Sequence, residues 1–311
     1  MNPPPSQATP FARPVSWRVG DCTVTRIEEQ LGPASFPPAR YFDRFDPALL
    51  ARHRHWLEPH HYLPGSDQLV TSVHAWLIRT PHHTLLVDAC SGNHKERPWW
   101  PRFHQMDTPF LERLAAAGVQ PAEVDFVMCT HLHADHIGWN TRLVAGRWVP
   151  TFPRARYLFS RREVEHWDPA RLAPDVDDPP RRLAFVDSVL PVLEAGLALQ
   201  VEGTHEIDDR LRIEPAPGHT PGHMALHLHQ GAAGGVFCGD AIHHPLQVCA
   251  PDWNSSFCED PAQARATRWR LLSRCAEHGH WLFPTHFGAP HVAAVEPDGD
   301  TFVPVFVEPA A

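Results

Sequence analysis

Val124-Asp125-Phe126-Val127-Met128-Cys129-Thr130, followed at once by His131-Leu132-His133-Ala134-Asp135-His136, is the stretch on which the reading of this chain turns. The first seven residues are largely apolar and of strand length. A strand alternates its side chains between two faces, so His131 and His133 point the same way as the chain leaves it. The turn that follows swings Asp135 and His136 to the other side of the same hollow. One short segment therefore offers ligands to two adjacent cations, a spacing that a merely solvated histidine-rich turn does not need.

Three later segments repeat the theme. Arg210-Leu211-Arg212-Ile213-Glu214 alternates like a strand and runs into Pro215-Ala216-Pro217-Gly218-His219-Thr220-Pro221-Gly222-His223. Gly235-Val236-Phe237-Cys238 ends in Gly239-Asp240-Ala241, and Trp281-Leu282-Phe283-Pro284 ends in Thr285-His286-Phe287. Each sets a His or Asp just beyond a buried strand, where α/β sheets build their sites. Glycine or proline beside each one lets the backbone turn sharply there.

In this order the motifs H-x-H-x-D-H, P-G-H-T-P-G-H, G-D-A and P-T-H resemble the metallo-β-lactamase superfamily, over roughly Trp17 to His291. The resemblance implies an α/β fold, an αββα sandwich of two mixed β-sheets flanked by helices with the metal site at one edge. It implies that His131, His133 and His219 hold one divalent metal and Asp135, His136 and His286 a second, with Asp240 bridging them. Asp88, after the strand His83 to Val87, falls where such folds place an acid that orients a ligand histidine, and His223 is expected beside the ligands rather than among them. Zinc suits so histidine-rich a set, while mixed N/O sites also accept Mn, Fe or Co.

The expected chemistry is hydrolysis. Two cations roughly 3.5–4 Å apart share a water and lower its pKa toward neutrality, and the metal-bridging hydroxide attacks an electrophilic centre. Asp135 and Asp240 hold the cations and orient that hydroxide. The G-D-A motif sets the chain on the glyoxalase II and lactonase side of the superfamily, although no basic cluster near the C-terminus suggests glutathione. Residues 129–142 are similar to N-acyl homoserine lactone lactonases and methyl parathion hydrolase. A lactone or carboxylic ester is the first expectation. Organophosphate triesters or activated aryl halides are the alternative, and a non-catalytic metal-binding protein a distant one. The lactonases' assisting tyrosine has no counterpart between Met224 and Gly239; the chain's only tyrosines are Tyr41, Tyr62 and Tyr157. Either a histidine such as His243 takes its place or the substrate differs.

The 311 residues carry a net charge of −9, which disfavours a nucleic-acid groove, and no polybasic run suggests a membrane surface. Seven cysteines without close pairing argue against a disulfide framework and for a reduced, cytoplasmic protein. No signal peptide is expected, nor any apolar stretch of bilayer length. Ligands spread from His131 to His286 require both halves to fold around one site. The expectation is thus a proline-rich flexible arm over residues 1–16 and a single domain over 17–311. Residues 94–106 lack any period and carry Trp99, Trp100 and Phe103. They read as a wall for an apolar or aromatic small-molecule substrate, or as a dimer contact. Trp139 and His243, close behind their motifs, are further candidates for the pocket. Residues 53–62 read as an N-terminal flap or a subunit contact.

Overall fold

The computed structural model describes residues 14–172, 178–231 and 233–310. Most of the proposed arm, residues 1–13, lies outside them. Val15–Val19 is a strand paired antiparallel with Cys22–Pro33, so Val15 and Ser16, within the stretch expected to be flexible, belong to a sheet.

Two seven-stranded sheets carry the fold. The first runs Val15–Val19, Cys22–Pro33, Val70–Arg79, Thr84–Val87, Phe126–Met128, Arg156–Ser160 and Ala198–Val201 across its width. The second runs His205–Glu206, Leu211–Pro215, Met224–Gln230, Ala233–Gly239, Trp281–Pro284, Ala293–Asp298 and Thr301–Phe306. Both are mixed: Thr84–Val87, Phe126–Met128, Arg156–Ser160 and Ala198–Val201 pair in parallel, as do Ala233–Gly239 and Trp281–Pro284.

The apolar runs in the sequence are continuous because these strands are covered on both faces. The strand period of two sorts their side chains. Val73, Ala75 and Leu77 face the helices of the first half, while Trp76 and Ile78 between them face the opposite sheet. In the second sheet Phe237 and Phe283 point inward and stack at 4.7 Å, while Val236, Cys238 and Leu282 lie under the helix Pro261–His278. Helices Phe110–Ala116, Pro179–Ser188 and Leu190–Glu194 cover the outer face of the first sheet. The order of layers is α, β, β, α.

The helix Pro261–His278 starts where Asp260 accepts hydrogen bonds from the amides of Ala262 and Gln263, and ends at Gly279, whose φ of 65° is the left-handed conformation of a helix stop. Residues 179–194 form two helices rather than one, Pro179–Ser188 and Leu190–Glu194, with Pro191 in the first turn of the second. Residues 53–62 form the end of the helix Pro47–Leu57 and a following turn. They pack with Tyr41, Phe42, Leu246 and Trp253 into a small satellite core. Among the described residues no helix is long and apolar enough to cross a membrane.

Candidate metal centre

Five loops meet at one edge of the sandwich, each leaving the C-terminal end of a strand. Thr84–Val87 delivers Asp88, Phe126–Met128 delivers residues 131–136, and Leu211–Pro215 delivers His219. Ala233–Gly239 delivers Asp240, and Trp281–Pro284 delivers His286. The first two loops approach closely. Ala89 donates its amide to the His136 carbonyl at 2.7 Å, and Gly138 donates to Cys90 at 2.7 Å. A Cβ on Gly138 would collide with the Ser91 carbonyl, so only glycine lets the two backbones meet.

The histidines and acids singled out in the sequence gather into two groups: His131, His133, His219 and Asp240, and Asp135, His136 and His286. In the first, Nδ1 of His133 lies 2.9 Å from Nε2 of both His131 and His219. Asp240 stands between the groups and gives one oxygen to each. Its Oδ2 is 3.4 Å from His219 Nε2 and 3.9 Å from His131 Nε2. Its Oδ1 is 3.1 Å from His286 Nε2 and 3.2 Å from His136 Nε2. Asp135 lies 3.8 Å from His286 and 3.9 Å from His136.

The far side of each ring shows why these nitrogens are free to bind. His136 Nδ1 is 2.9 Å from Asp88, whose carboxylate also accepts from the amide and hydroxyl of Thr130 and the hydroxyl of Thr285. His286 donates its Nδ1–H to the Ser72 carbonyl at 2.7 Å. With one proton committed there, each Nε2 faces the carboxylates, which favour a positive charge at that position, either a second proton on the ring or a metal cation in its place. Nε2 of His136 and Oδ1 of Asp240 are buried without a hydrogen-bond partner, as expected of atoms that bind a cation. The residues present therefore fit a pair of divalent metals.

Electrostatics agree. Burial lowers the pKa of His131, His219 and His133, keeping the imidazoles in the neutral form that binds metal. At His136 burial acts against the charged ring, but Asp240, Asp88 and Asp135 outweigh it and raise its pKa. Asp240 and Asp135 do the same to His286, so this half of the site attracts positive charge.

His223 lies beside the ligands: its Nε2 accepts the Asp240 amide at 3.0 Å, and burial lowers its pKa to about 4. His243 reaches the site itself, with Nε2 3.1 Å from Asp240 Oδ2. The cavity above the ligands has a volume of about 170 Å³. Trp100 and Phe103 line it, as do Phe36, Tyr41, Arg102 and Phe257. Trp99 and Trp139, placed with the pocket from sequence, do not. Trp99 is 46% exposed, on the solvent side of its loop. Trp139 is buried in the core of the first half, stacked on Phe110 at 5.1 Å and donating its indole N–H to Glu29 at 2.7 Å.

Tyr41, Arg102 and Phe257 went unrecognised in the sequence. Tyr41 belongs to the short helix Pro38–Tyr41 and meets His243 edge to face at 6.1 Å. Two buried carboxylates were missed as well. Glu29 accepts from the amides of Ser91 and Gly92 and from Trp139. Glu163 accepts from the amides of Leu132 and Gly222 and from Trp167, tying the 131–136 loop to the His219 loop.

Residues 68–286 match the family model described as the metallo-beta-lactamase superfamily. The chain is similar to the hydroxyacylglutathione hydrolase of Aeromonas hydrophila, with 30% identity over 231 residues, 72% of this chain and 66% of that relative. It is similar also to the N-acyl homoserine lactonase AttM of Azorhizobium caulinodans, with 29% identity over 137 residues, 41% of this chain and 44% of that relative. The matched stretch thus spans less than two thirds of either relative's length. Among solved structures, hydrolase AbOPH in the beta lactamase superfamily superposes with a TM-score of 0.77 at 22% identity, covering 96% of this chain and 99% of that one. AidC, a dizinc quorum-quenching lactonase in complex with a product, gives 0.73 at 18%, covering 95% and 97%. At such identities the likeness is one of fold.

Proposed function

Because the chain belongs to the metallo-beta-lactamase superfamily, we propose that it is a dinuclear metal-dependent hydrolase of a carboxylic ester or lactone. The observation that carries this reading is the single carboxylate of Asp240, which faces one histidine group with each oxygen. His131, His133 and His219 would hold one divalent cation, Asp135, His136 and His286 the other, and Asp240 both. Zinc suits the donor set. When bound, the pair supplies Lewis acidity to polarise a carbonyl and acidify a water.

The chain's own residues do the rest. Asp88 and the Ser72 carbonyl fix the tautomers of His136 and His286. Phe36, Trp100, Phe103 and Phe257 exclude water and seat an apolar or aromatic group. Tyr41 lines the cavity, and its hydroxyl has no hydrogen-bond partner among the described residues. Burial, with Asp240 and Asp135 nearby, raises its pKa far above the ordinary value, so it stays a phenol and can donate a proton to a substrate oxygen. A tyrosine from the N-terminal segment thus fills the role left open between Met224 and Gly239. All seven cysteines are unpaired, which supports a reduced, cytoplasmic setting.

The test is turnover of aryl esters, short and long lactones and an aryl phosphotriester by zinc-loaded protein, with metal content measured alongside. Ester or lactone turnover with two metals per chain, falling to one in His286→Ala, is the expected result. Full metal loading with no turnover of any member would sink the hydrolase reading.

A further inference from the structure

Arg102 is the one arginine on the cavity wall, and its charge has no carboxylate partner among the described residues. Its guanidinium is held by neutral oxygens: Gln30 Oε1 at 3.0 Å, Thr71 Oγ1 at 2.6 Å, the Thr71 carbonyl at 2.9 Å and the Pro33 carbonyl at 3.4 Å. These use four of its five N–H groups and leave one, on Nη2, without an acceptor. Arg97, five residues earlier, shows the alternative on the same segment: it forms a paired, two-bond bridge to Asp187 at 2.7 and 2.8 Å. Arg268 is also held by neutral oxygens, but it does not line the cavity.

A guanidinium taken partly out of water without a counter-ion is costly, and in a binding cavity the missing counter-ion is most simply the ligand. The acids nearest Arg102 do not fill that place. Asp135 and Glu29 act on it through space, yet Asp135 belongs to the metal groups and Glu29 is committed to Ser91, Gly92 and Trp139. Two divalent cations against the carboxylates of Asp135 and Asp240 leave the site with excess positive charge, so no negative charge remains for Arg102. The rest of the wall is mainly apolar, with Phe36, Tyr41, Trp100, Phe103 and Phe257 as its largest side chains beside Ala34, Val73 and two hydroxyls. Roughly 150 Å³ of apolar space accommodates a benzene ring, and this cavity measures about 170 Å³.

Building on the hydrolase reading, we infer that the substrate carries a carboxylate, remote from the scissile bond, that pairs with Arg102, on an apolar body such as an aromatic ring. Trp100 and Phe103, on either side in the sequence, then seat that ring, while Arg102 fixes its orientation. The single free N–H and the positive charge select an anion over a neutral isostere without requiring a bidentate grip.

The experiment uses zinc-loaded protein and two matched pairs of probes. Benzoate and benzamide are compared as ligands by calorimetry, and 4-acetoxybenzoate and 4-acetoxybenzamide as substrates by release of the phenol. Wild type is expected to favour the anion of each pair about 10- to 100-fold, the range of one charge-assisted hydrogen bond. Arg102→Met should lose that preference and Arg102→Lys should retain much of it. Arg102→Gln keeps a donor for the Thr71 carbonyl and serves if the methionine variant does not fold. An anion preference that survives in the methionine or glutamine variant belongs to the metals and overturns the inference. So does equal treatment of anion and amide by wild type, or a lysine variant that folds normally and discriminates no better than methionine. Discrimination between benzoate and benzamide without turnover of either ester would leave Arg102's role standing and count against the hydrolase reading alone.

Discussion

Glu163→Gln tests whether one buried carboxylate holds the proposed tri-histidine site together. Glu163 is fully buried at the start of the helix Arg161–Trp167. Its Oε2 accepts from the Leu132 amide at 3.1 Å and the Trp167 indole at 2.8 Å, and its Oε1 from the Gly222 amide at 2.7 Å. Leu132 lies between His131 and His133, and Gly222 between His219 and His223, so the carboxylate joins the two loops that carry these ligands. Burial raises its pKa against the pull of these donors, yet with every neighbour a donor, the ionised, acceptor-only form is the one that fits. Glutamine is nearly isosteric but has a single acceptor oxygen. Its NH2 must face the Gly222 amide, or else both the Leu132 amide and the indole. At least one buried N–H is orphaned and a charge-assisted bond lost, a cost of about 3 kcal/mol. The assay is thermal melting with and without zinc, together with zinc affinity by chelator competition. Affinity at this site should fall about 10- to 100-fold, widening the loss in the zinc-loaded protein by about 1.4–2.7 kcal/mol beyond that in the metal-free one. A variant melting with wild type would show that Glu163 is not the charged acceptor. Equal losses with and without zinc, at unchanged affinity, would reduce it to a tie within the fold.

Tyr41→Phe removes only the phenolic oxygen; kcat on an ester should fall about 100-fold with KM little changed, and full activity would remove Tyr41 from proton donation. Gly138→Ala drives a methyl into the Ser91 carbonyl, where only backbone can yield, so a loss of about 3 kcal/mol or more in chemical denaturation is expected together with weakened metal binding at His136. Burial lowers the Lys95 pKa to about 7 despite Asp187 at 3.5 Å. Below pH 7 Lys95 is protonated folded and unfolded alike. Between about 7 and 10.5 the unfolded chain holds the extra proton, so stability gained through Lys95 rises with pH by up to about 1.4 kcal/mol per unit. Lys95→Met should remove that slope from melts recorded across the window; parallel profiles would contradict it.

The metal groups were legible because their information is local. His131 to His136 place four ligand-type residues at the end of one strand; Asp240 and His286 each follow a short apolar run, and His219 follows the alternating stretch Arg210 to Glu214, patterns that read as strands. The cavity was not legible, because its wall converges from distant places: Phe36 and Tyr41 from the N-terminal segment, Arg102 from the aromatic loop, Phe257 from the approach to the last helix. Trp139 shows the limit of proximity in sequence. It follows the histidine motif directly, yet it turns inward onto Phe110 and Glu29. The strands Ala293–Asp298 and Thr301–Phe306 escaped notice because Pro297, Pro304 and the Asp298-Gly299-Asp300 turn break the apolar pattern, and the second of them lies at a sheet edge where proline is tolerated.

Seven proposed ligands divide between the two sheets, His131, His133, Asp135 and His136 on one and His219, Asp240 and His286 on the other. This division sets a timetable for a chain made from its N-terminus. A ribosome that has released the first half has produced a cluster of donors suited to a stray divalent cation, but not Asp240 or the histidines of the second half that complete the proposed set. Only after His286 emerges do both halves offer their proposed ligands together, so the choice of metal would belong to the completed chain, and a cation that closed the site would also fasten one half to the other.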